Sequence, residues 1–405
     1  MDVVQRGMGL VVSSLDNKNN LILCLTAICV LVVLLLPSSA GAQERQGLLL
    51  NAGLLVQSDS NITRTAEKTS DRLAVFSPQL QFLSSIGQHN FVFDYQGDFA
   101  AYNDNSQYNY NDHDFKLGAQ LGHSYQFSSE FALGYQNKIE DPGANNAAPQ
   151  VIIEFNQLTR KTALAKIYYG TRASNGQLVL GLYHNQQRYT NNQQSFRDLD
   201  QNTLTGTFFY RMAPKTRILF EASVARFDDV ASTLAADRTS DENRYLVGVE
   251  WAATAIISGT FKVGYLQRDN ANESFNDISG LSYNLDMIWQ PNSYSKVIIG
   301  STRTTRESAE QDIGGFISTS YSLGLEHELS SRTQLNAAYE QDESDFNNVQ
   351  NRSDTRKVIT MGITHSLRTW LDIRLDYRHL ARSSNDEIYV FTSDSIELLL
   401  TSKFN

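Results

Sequence analysis

The chain has 405 residues, 41% hydrophobic and 19% charged, and its 34 Lys plus Arg stand against 44 Asp plus Glu for a net charge of −10. This balance excludes a disordered chain and a helical membrane protein, and its acidity argues against a general nucleic-acid binder. The only thiols are Cys24 and Cys29, both in the first apolar run, so the remainder carries no disulfide framework, cysteine zinc site or cysteine nucleophile.

The first element is that apolar run. Leu21 to Leu36 is broken only by Thr26, follows Lys18, and leads through Pro37 to Ala40-Gly41-Ala42. A short apolar stretch followed at once by a small-residue cleavage pattern has the parts of a secretory signal peptide. An uncleaved anchor would need about 20 apolar residues. The expected division is therefore a signal peptide over residues 1–42 and a mature domain over 43–405. Five residues, Gln43 to Gly47, precede the first strand at Leu48, which leaves no room there for an N-terminal plug.

Beyond Gln43 the pattern has period two. Phe91, Phe93, Tyr95 and Phe99 alternate with Asp94, Gln96 and Asp98; Phe115, Leu117, Ala119 and Leu121 alternate with Lys116, Gly118 and Gln120. Tyr321, Leu323, Leu325 and Leu329 stand against Ser322, Gly324, Glu326 and Glu328, and Leu371, Ile373, Leu375 and Tyr377 against Asp372, Arg374, Asp376 and Arg378. Each is a strand with one apolar and one wet face.

The connections alternate as well. Short turns are predicted at Ser128-Ser129, Asn175-Gly176, Ala213-Pro214-Lys215, Pro291-Asn292-Ser293, Ser330-Ser331 and around Thr369. Longer polar loops are predicted from Tyr102 to Asp112, Gln187 to Asp198, Arg226 to Asn243, Arg268 to Asp277 and Glu340 to Asp354. Short turns on one rim and long loops on the other describe an all-β, transmembrane, antiparallel up-and-down barrel of the outer membrane. At roughly ten membrane-crossing residues per strand, the count is about eighteen, within sixteen to twenty. A lipid-embedded sheet must close because an unpaired edge in hydrocarbon is costly, and only six prolines interrupt the chain.

Trp251, Trp289 and Trp370 all abut predicted short turns, and Tyr210, Tyr294, Phe127 and Phe131 join them as an aromatic girdle at the periplasmic interface. His123, His327 and His365 share the apolar parity at that end and read as interfacial residues, not a metal set. The chain closes on Ile396, Leu398, Leu400 and Phe404 in one parity, similar to an outer-membrane assembly signal except that Phe404 is penultimate.

The opening strand Leu48 to Val56 with Asp59-Ser60-Asn61-Ile62, then Ser77-Pro78 with Leu80 and Phe82, and Gly87, His89, Phe91, Asp94 and Tyr95 resemble the putative beta-barrel porin family associated with exopolysaccharide operons. The matching residues lie at the start of the mature chain; the remainder agrees in architecture. The resemblance implies an outer-membrane barrel of a Gram-negative envelope that serves polymer export.

Eighteen strands about 4.8 Å apart and tilted near 40° enclose a backbone cylinder of roughly 35 Å, too wide for wall side chains to fill. A lumen follows unless a long loop folds inward. Its predicted lining is Asp94, Lys116, Lys166, Arg217, Lys262, Glu326, Glu328, Asp372, Arg374, Asp376 and Arg378, mixed in sign. Asp372, Arg374, Asp376 and Arg378 share one face at spacings of about 6.6 to 7 Å, as a solvated charge ladder or a selectivity strip. Ser318, Ser320, Ser322 and Tyr168 offer hydroxyls to sugars or to water. No nucleophile elbow, zinc pair or phosphate loop is present, and the acidic pairs Asp228-Asp229 and Glu140-Asp141 lack calcium-loop spacing, so neither enzyme, metal nor cofactor is expected. The expected function is a porin-like channel in exopolysaccharide export, reached through a cleaved signal, with outer-membrane lipid, lipopolysaccharide, the polysaccharide and periplasmic export components as partners and no nucleic acid. A general or solute-specific diffusion porin and a structural barrel acting through its extracellular loops fit the same wall.

Overall fold

Alternation with period two is realised as eighteen antiparallel strands, each paired with its sequence neighbours. The computed structural model describes residues 46–144, 147, 153–230, 237–252, 256–346 and 351–404, so the expected signal peptide lies outside the described residues. The first six strands are β1 (Gly47–Asp59), β2 (Asp71–Ile86), β3 (His89–Tyr102), β4 (Tyr110–Gly122), β5 (Phe127–Ile139) and β6 (Gln157–Tyr169). Next come β7 (Gly176–Tyr189), β8 (Leu199–Ala213), β9 (Thr216–Asp229), β10 (Ser240–Trp251), β11 (Ile257–Asn270) and β12 (Ile278–Trp289). The last six are β13 (Ser295–Arg306), β14 (Phe316–Ser330), β15 (Thr333–Phe346), β16 (Ser353–Arg368), β17 (Leu371–Ser384) and β18 (Phe391–Phe404). β1 also pairs with β18, from Leu50 opposite Phe404 to Asp59 opposite Ser395, which shuts the sheet into a barrel.

Two connection lengths alternate around the barrel, and by the rule for such barrels the short-turn rim is periplasmic. Several turns fall a few residues from their expected place. Ser128 and Ser129 already belong to β5, whose turn is 123–126, and the β6–β7 turn occupies 170–175. The long loops are shorter than expected, 230–239 in place of Arg226 to Asn243 and 347–352 in place of Glu340 to Asp354. The strands rise past the lipid with charge on their outer face, as in Arg226 with Asp228 and Asp241, so polarity there marks water outside the barrel and not the end of a strand.

The apolar face is bare. Leu133, Leu182 and Leu281 are each more than half exposed, and such a continuous surface is stable only against acyl chains. Trp251, Trp289, Trp370, Tyr210, Tyr294 and Phe127 gather at the short-turn rim. A second girdle, not anticipated from sequence, is made of Tyr135, Tyr245, Tyr265, Tyr321, Tyr339 and Tyr377, all exposed on the same face. Tyr245 and Trp251 stand six positions apart on β10, about 20 Å of strand, so two aromatic belts bound the hydrocarbon band. Between β3, β4 and β5 the upper belt is continuous, with Tyr95 and Phe115 rings 4.7 Å apart and Phe115 and Tyr135 rings 6.2 Å apart.

Buried apolar residues gather at the other end, among the long loops: Ile62, Tyr108 and Phe155; Ile313, Phe316 and Phe346; Val358, Leu380 and Phe391. On the inner wall, Leu219, Leu246 and Leu266 are buried and each faces a glycine on the next strand, Gly248, Gly264 and Gly280. A Cβ on Gly264 would overlap the Tyr245 carbonyl oxygen and press on the Leu246 backbone, so the bend of β10 against β11 depends on its absence. Gly264→Val is therefore expected to block folding of the barrel, read as loss of the heat-modifiable band on a denaturing gel after refolding in detergent. A folded fraction equal to the parent's would contradict the close approach.

Candidate functional site: the lumen and its mouth

The predicted lining residues all lie on the strand faces opposite the bare apolar one, and register decides their partners. Asp94 accepts from Gln81 Nε2 at 2.7 Å, and Lys116, exposed to the interior, pairs with Asp114 at 3.1 Å. Lys166 lies 4.0 Å from Glu130, which also accepts from the Tyr168 hydroxyl at 2.7 Å. Arg217 reaches Glu250 at 2.7 Å and Gln177 at 2.7 Å, with its guanidinium 4.1 Å from the Phe209 ring. Lys262 holds Glu221 at 3.1 Å, and Glu326 holds Lys296 at 3.3 Å. The β17 ladder is divided: Arg374 pairs with Asp376 at 2.7 Å, Asp372 with Lys403 at 2.6 Å, and Arg378 lines a cavity nearer the mouth. Glu328 sits at the short-turn rim beside an irregularity between Glu328 and Ser330. The serine row behaves unevenly, since Ser318 is buried while Ser320 donates to Asp342 at 2.6 Å.

The rim histidines make one repeated contact. His123, His327 and His365 each hydrogen-bond a hydroxyl, from Ser129 at 2.7 Å, Ser295 at 2.9 Å and Thr333 at 2.9 Å. Among the described residues no group of three or more His, Cys, Asp or Glu is placed to hold a metal ion.

The mouth is where sequence reasoning missed most. Seven arginines, Arg64, Arg197, Arg217, Arg238, Arg268, Arg352 and Arg382, carry guanidinium groups buried or nearly so; Arg217 belongs to the predicted lining, Arg268 and Arg382 continue the inner faces of β11 and β17, the other four lie in connections without period, and all but Arg217 serve the long-loop end. Arg64 forks onto Asp59 at 2.8 Å by both terminal nitrogens. Arg197, in the β7–β8 loop, forks onto Glu140 of the β5–β6 loop at 2.5 and 2.9 Å and lies 4.3 Å from the Tyr189 ring. Arg238 donates to the carbonyls of Ser308 at 3.0 Å and Phe196 at 2.6 Å, joining three loops. Arg268 reaches Glu307 at 2.6 Å, and Arg352 bonds both Glu310 and Asp354 while lying over the Phe346 and Tyr389 rings. A guanidinium suits this role because it carries five donors in a flat fork that also stacks on aromatic rings.

Burial works against each of these charges, and the partners decide the balance. Around Arg197 burial lowers the affinity for a proton, but the two bonds and the charge of Glu140 more than offset it, so the group is held above its ordinary range. Around Arg238 burial wins over Glu307 and Asp229, and the group falls below its ordinary range. The acidic pairs considered for calcium are engaged elsewhere: Glu140 by Arg197, Asp141 by the Gly143 amide at 2.8 Å, Asp228 by Arg226 and Asp229 by the Arg238 amide at 3.1 Å.

The β5–β6 loop also crosses the barrel. Arg382 on β17 donates to the carbonyls of Gly143 and Ala144, and Leu380 packs on Gly143. Since β18 and β1 to β4 separate this contact from the root of the loop, the loop folds inward over the lumen. Beneath it lies a cavity of about 620 Å³ walled by β17, β18 and β1 to β7. Its lining mixes Tyr102, Tyr110, Tyr189 and Phe155 with Gln96, Asp98, Asp112, Asp114 and Gln136.

A closed barrel with a bare apolar band between aromatic belts, a charged interior and inward-folded long loops defines an outer-membrane β-barrel of the porin-like channel class. The chain belongs to the family described as putative beta-barrel porin 2, whose model matches residues 51–404. Among solved structures it is similar to OccK1 (OpdK) of Pseudomonas aeruginosa, at 10% identity and a TM-score of 0.49 over 88% of this chain and 98% of that one. It is also similar to the siderophore receptor PirA of Acinetobacter baumannii, at 7% identity and a TM-score of 0.44 over 90% and 81%. Nothing among the curated proteins matches.

If Arg382 holds the crossing loop, Arg382→Ala removes charged hydrogen bonds of about 1.5–3 kcal/mol each and releases the loop at its far end. Single-channel conductance in planar bilayers is expected to rise, with faster proteolysis between residues 140 and 156. Conductance and cleavage unchanged from the parent would show that the loop needs no such tie.

Proposed function

We propose that this channel carries a hydrophilic cargo across the outer membrane and that the cargo is an extracellular polysaccharide leaving the cell. The observation that carries the reading is the composition of the path: carboxylates, amides, hydroxyls and tyrosines line the wall up to the cavity under the β5–β6 loop, a mixture that can exchange hydrogen bonds with successive sugar hydroxyls without holding any one strongly. The predicted lining residues, from Asp94 and Lys116 through Arg374 and Arg378, keep that path wet. Most of their charges are paired, along one strand or between strands, so they supply hydration and wall rigidity more than net attraction. Energy and direction then come from periplasmic and inner-membrane partners, since the barrel wall offers no chemical step. The outward charges above the tyrosine belt, such as Arg226 and Asp241, sit at the level of lipopolysaccharide head groups.

A second reading, a diffusion porin for small polar solutes, is favoured by one observation: buried arginines tie the long loops together over the mouth, which suits a fixed narrow aperture better than one that admits a chain. Deleting the gene separates the two. Export predicts that surface polymer disappears while intracellular precursor persists; unchanged surface polymer, together with a steady ionic current from the purified barrel that polymer does not block, would leave the diffusion reading in its place.

A further inference from the structure

We propose that the cavity beneath the β5–β6 loop is a saccharide subsite that takes uncharged or amino sugars and turns away polyanionic ones. This deepens the export reading and rests on it. The cavity volume of about 620 Å³ lies within the range of about 300–1,000 Å³ that ligand sites occupy, and the wall is built from nine consecutive strands, β17 and β18 followed by β1 to β7, so its shape is fixed by the sheet and not by side-chain packing alone.

Six lining groups give the site its chemistry. The Tyr102 and Tyr110 rings pack at the edge of the cluster around Leu73 and Ala100, and neither hydroxyl has a protein partner among the described residues, so both are free to donate to or accept from a ligand. Asp112 spends one carboxylate oxygen on the Ile139 amide at 2.9 Å, leaving the other as an acceptor. Asp98 accepts from Ser77 at 2.6 Å, which orients it toward the lumen beside Gln96. Gln136 spends its amide donor on Asp114 at 2.9 Å and keeps its carbonyl oxygen. A sugar hydroxyl both donates and accepts, and this set offers both functions from a single patch. A bare cation would use only the acceptors and leave the phenols idle.

Charge sets the preference among saccharides. Of the lining carboxylates, Asp59 is neutralised by Arg64, Glu140 by Arg197 and Asp114 by Lys116. Those that remain still outnumber the lining bases Lys138, Arg160 and Arg378. A uronate chain entering this recess would meet like charge, whereas a neutral sugar meets only hydrogen-bond partners and an aminosugar gains attraction.

The test uses the purified full barrel in planar bilayers, with reversible current block as the readout. A malto-oligosaccharide and a glucosamine oligomer are expected to block, and a galacturonate oligomer of equal length to block at least about tenfold more weakly. Tyr102→Phe combined with Tyr110→Phe should weaken the maltose-type block by about tenfold while leaving the heat-modifiable band unchanged; Asp98→Asn with Asp112→Asn should narrow the gap between neutral and acidic oligomers. Equal block by galacturonate, or block by spermine with none by malto-oligosaccharide, would overturn the subsite while leaving a channel. An absence of any current would instead remove the channel reading on which the subsite rests.

Discussion

Hydrocarbon offers no hydrogen bonds, and that deprivation governs this molecule. Every amide and carbonyl crossing the lipid must find a partner in the sheet, since each one left alone costs several kcal/mol. The pairing of Leu50 through Asp59 with Phe404 through Ser395 is therefore what makes the other seventeen strand pairs tenable. Once the sheet is closed, pleating sends alternate side chains to lipid and to water, and the wall becomes two surfaces with opposite chemistry. The leucine and glycine steps across β9 to β12 show how the curvature is reached, with the backbone of one strand approaching its neighbour where a side chain is missing.

Closure also moves the site of conventional packing. The cylinder is too wide for its own wall to fill, so the buried apolar clusters and buried charges of a soluble core appear at the long-loop end. There the arginines take over: Arg197, Arg238, Arg268, Arg352 and Arg382 each join segments far apart in the chain through carboxylates or backbone carbonyls. Removing one partner of such a buried pair costs about 3–5 kcal/mol because the other is left uncompensated. The mouth is consequently the most tightly specified part of the lumen, and the loops that define it are positioned by charge and not by local propensity.

These facts explain which features could be read from the sequence. Strands crossing lipid announce themselves, because rows such as Leu371, Ile373, Leu375 and Tyr377 must be apolar on one side only, and counting them between turns recovers eighteen. The upper tyrosine belt was present in the same rows, six or seven positions from the tryptophans, yet a tyrosine in mid-strand carries no turn beside it to mark a boundary. Strand ends above the lipid are polar on both faces, so Arg226 to Asp229 reads as loop. The contacts at the mouth left no local trace at all: Glu140 and Arg197 lie 57 residues apart, and Arg382 and Ala144 lie 238 apart. The face on which each strand charge lies follows from its parity in the sequence, but the pairing of those charges needed the register.

The arrangement stands or falls on which side of the sheet meets water. Because Cys24 and Cys29 are the only cysteines in the chain, replacing both with serine lets single cysteines placed on β17 report without background. With Arg374→Cys and Leu375→Cys in a reconstituted barrel, a membrane-impermeant thiol reagent should modify position 374 rapidly and spare position 375 until detergent strips the lipid. Equal modification of both, or protection at 374 with reaction at 375, would contradict a water-filled interior enclosed by a lipid-facing wall.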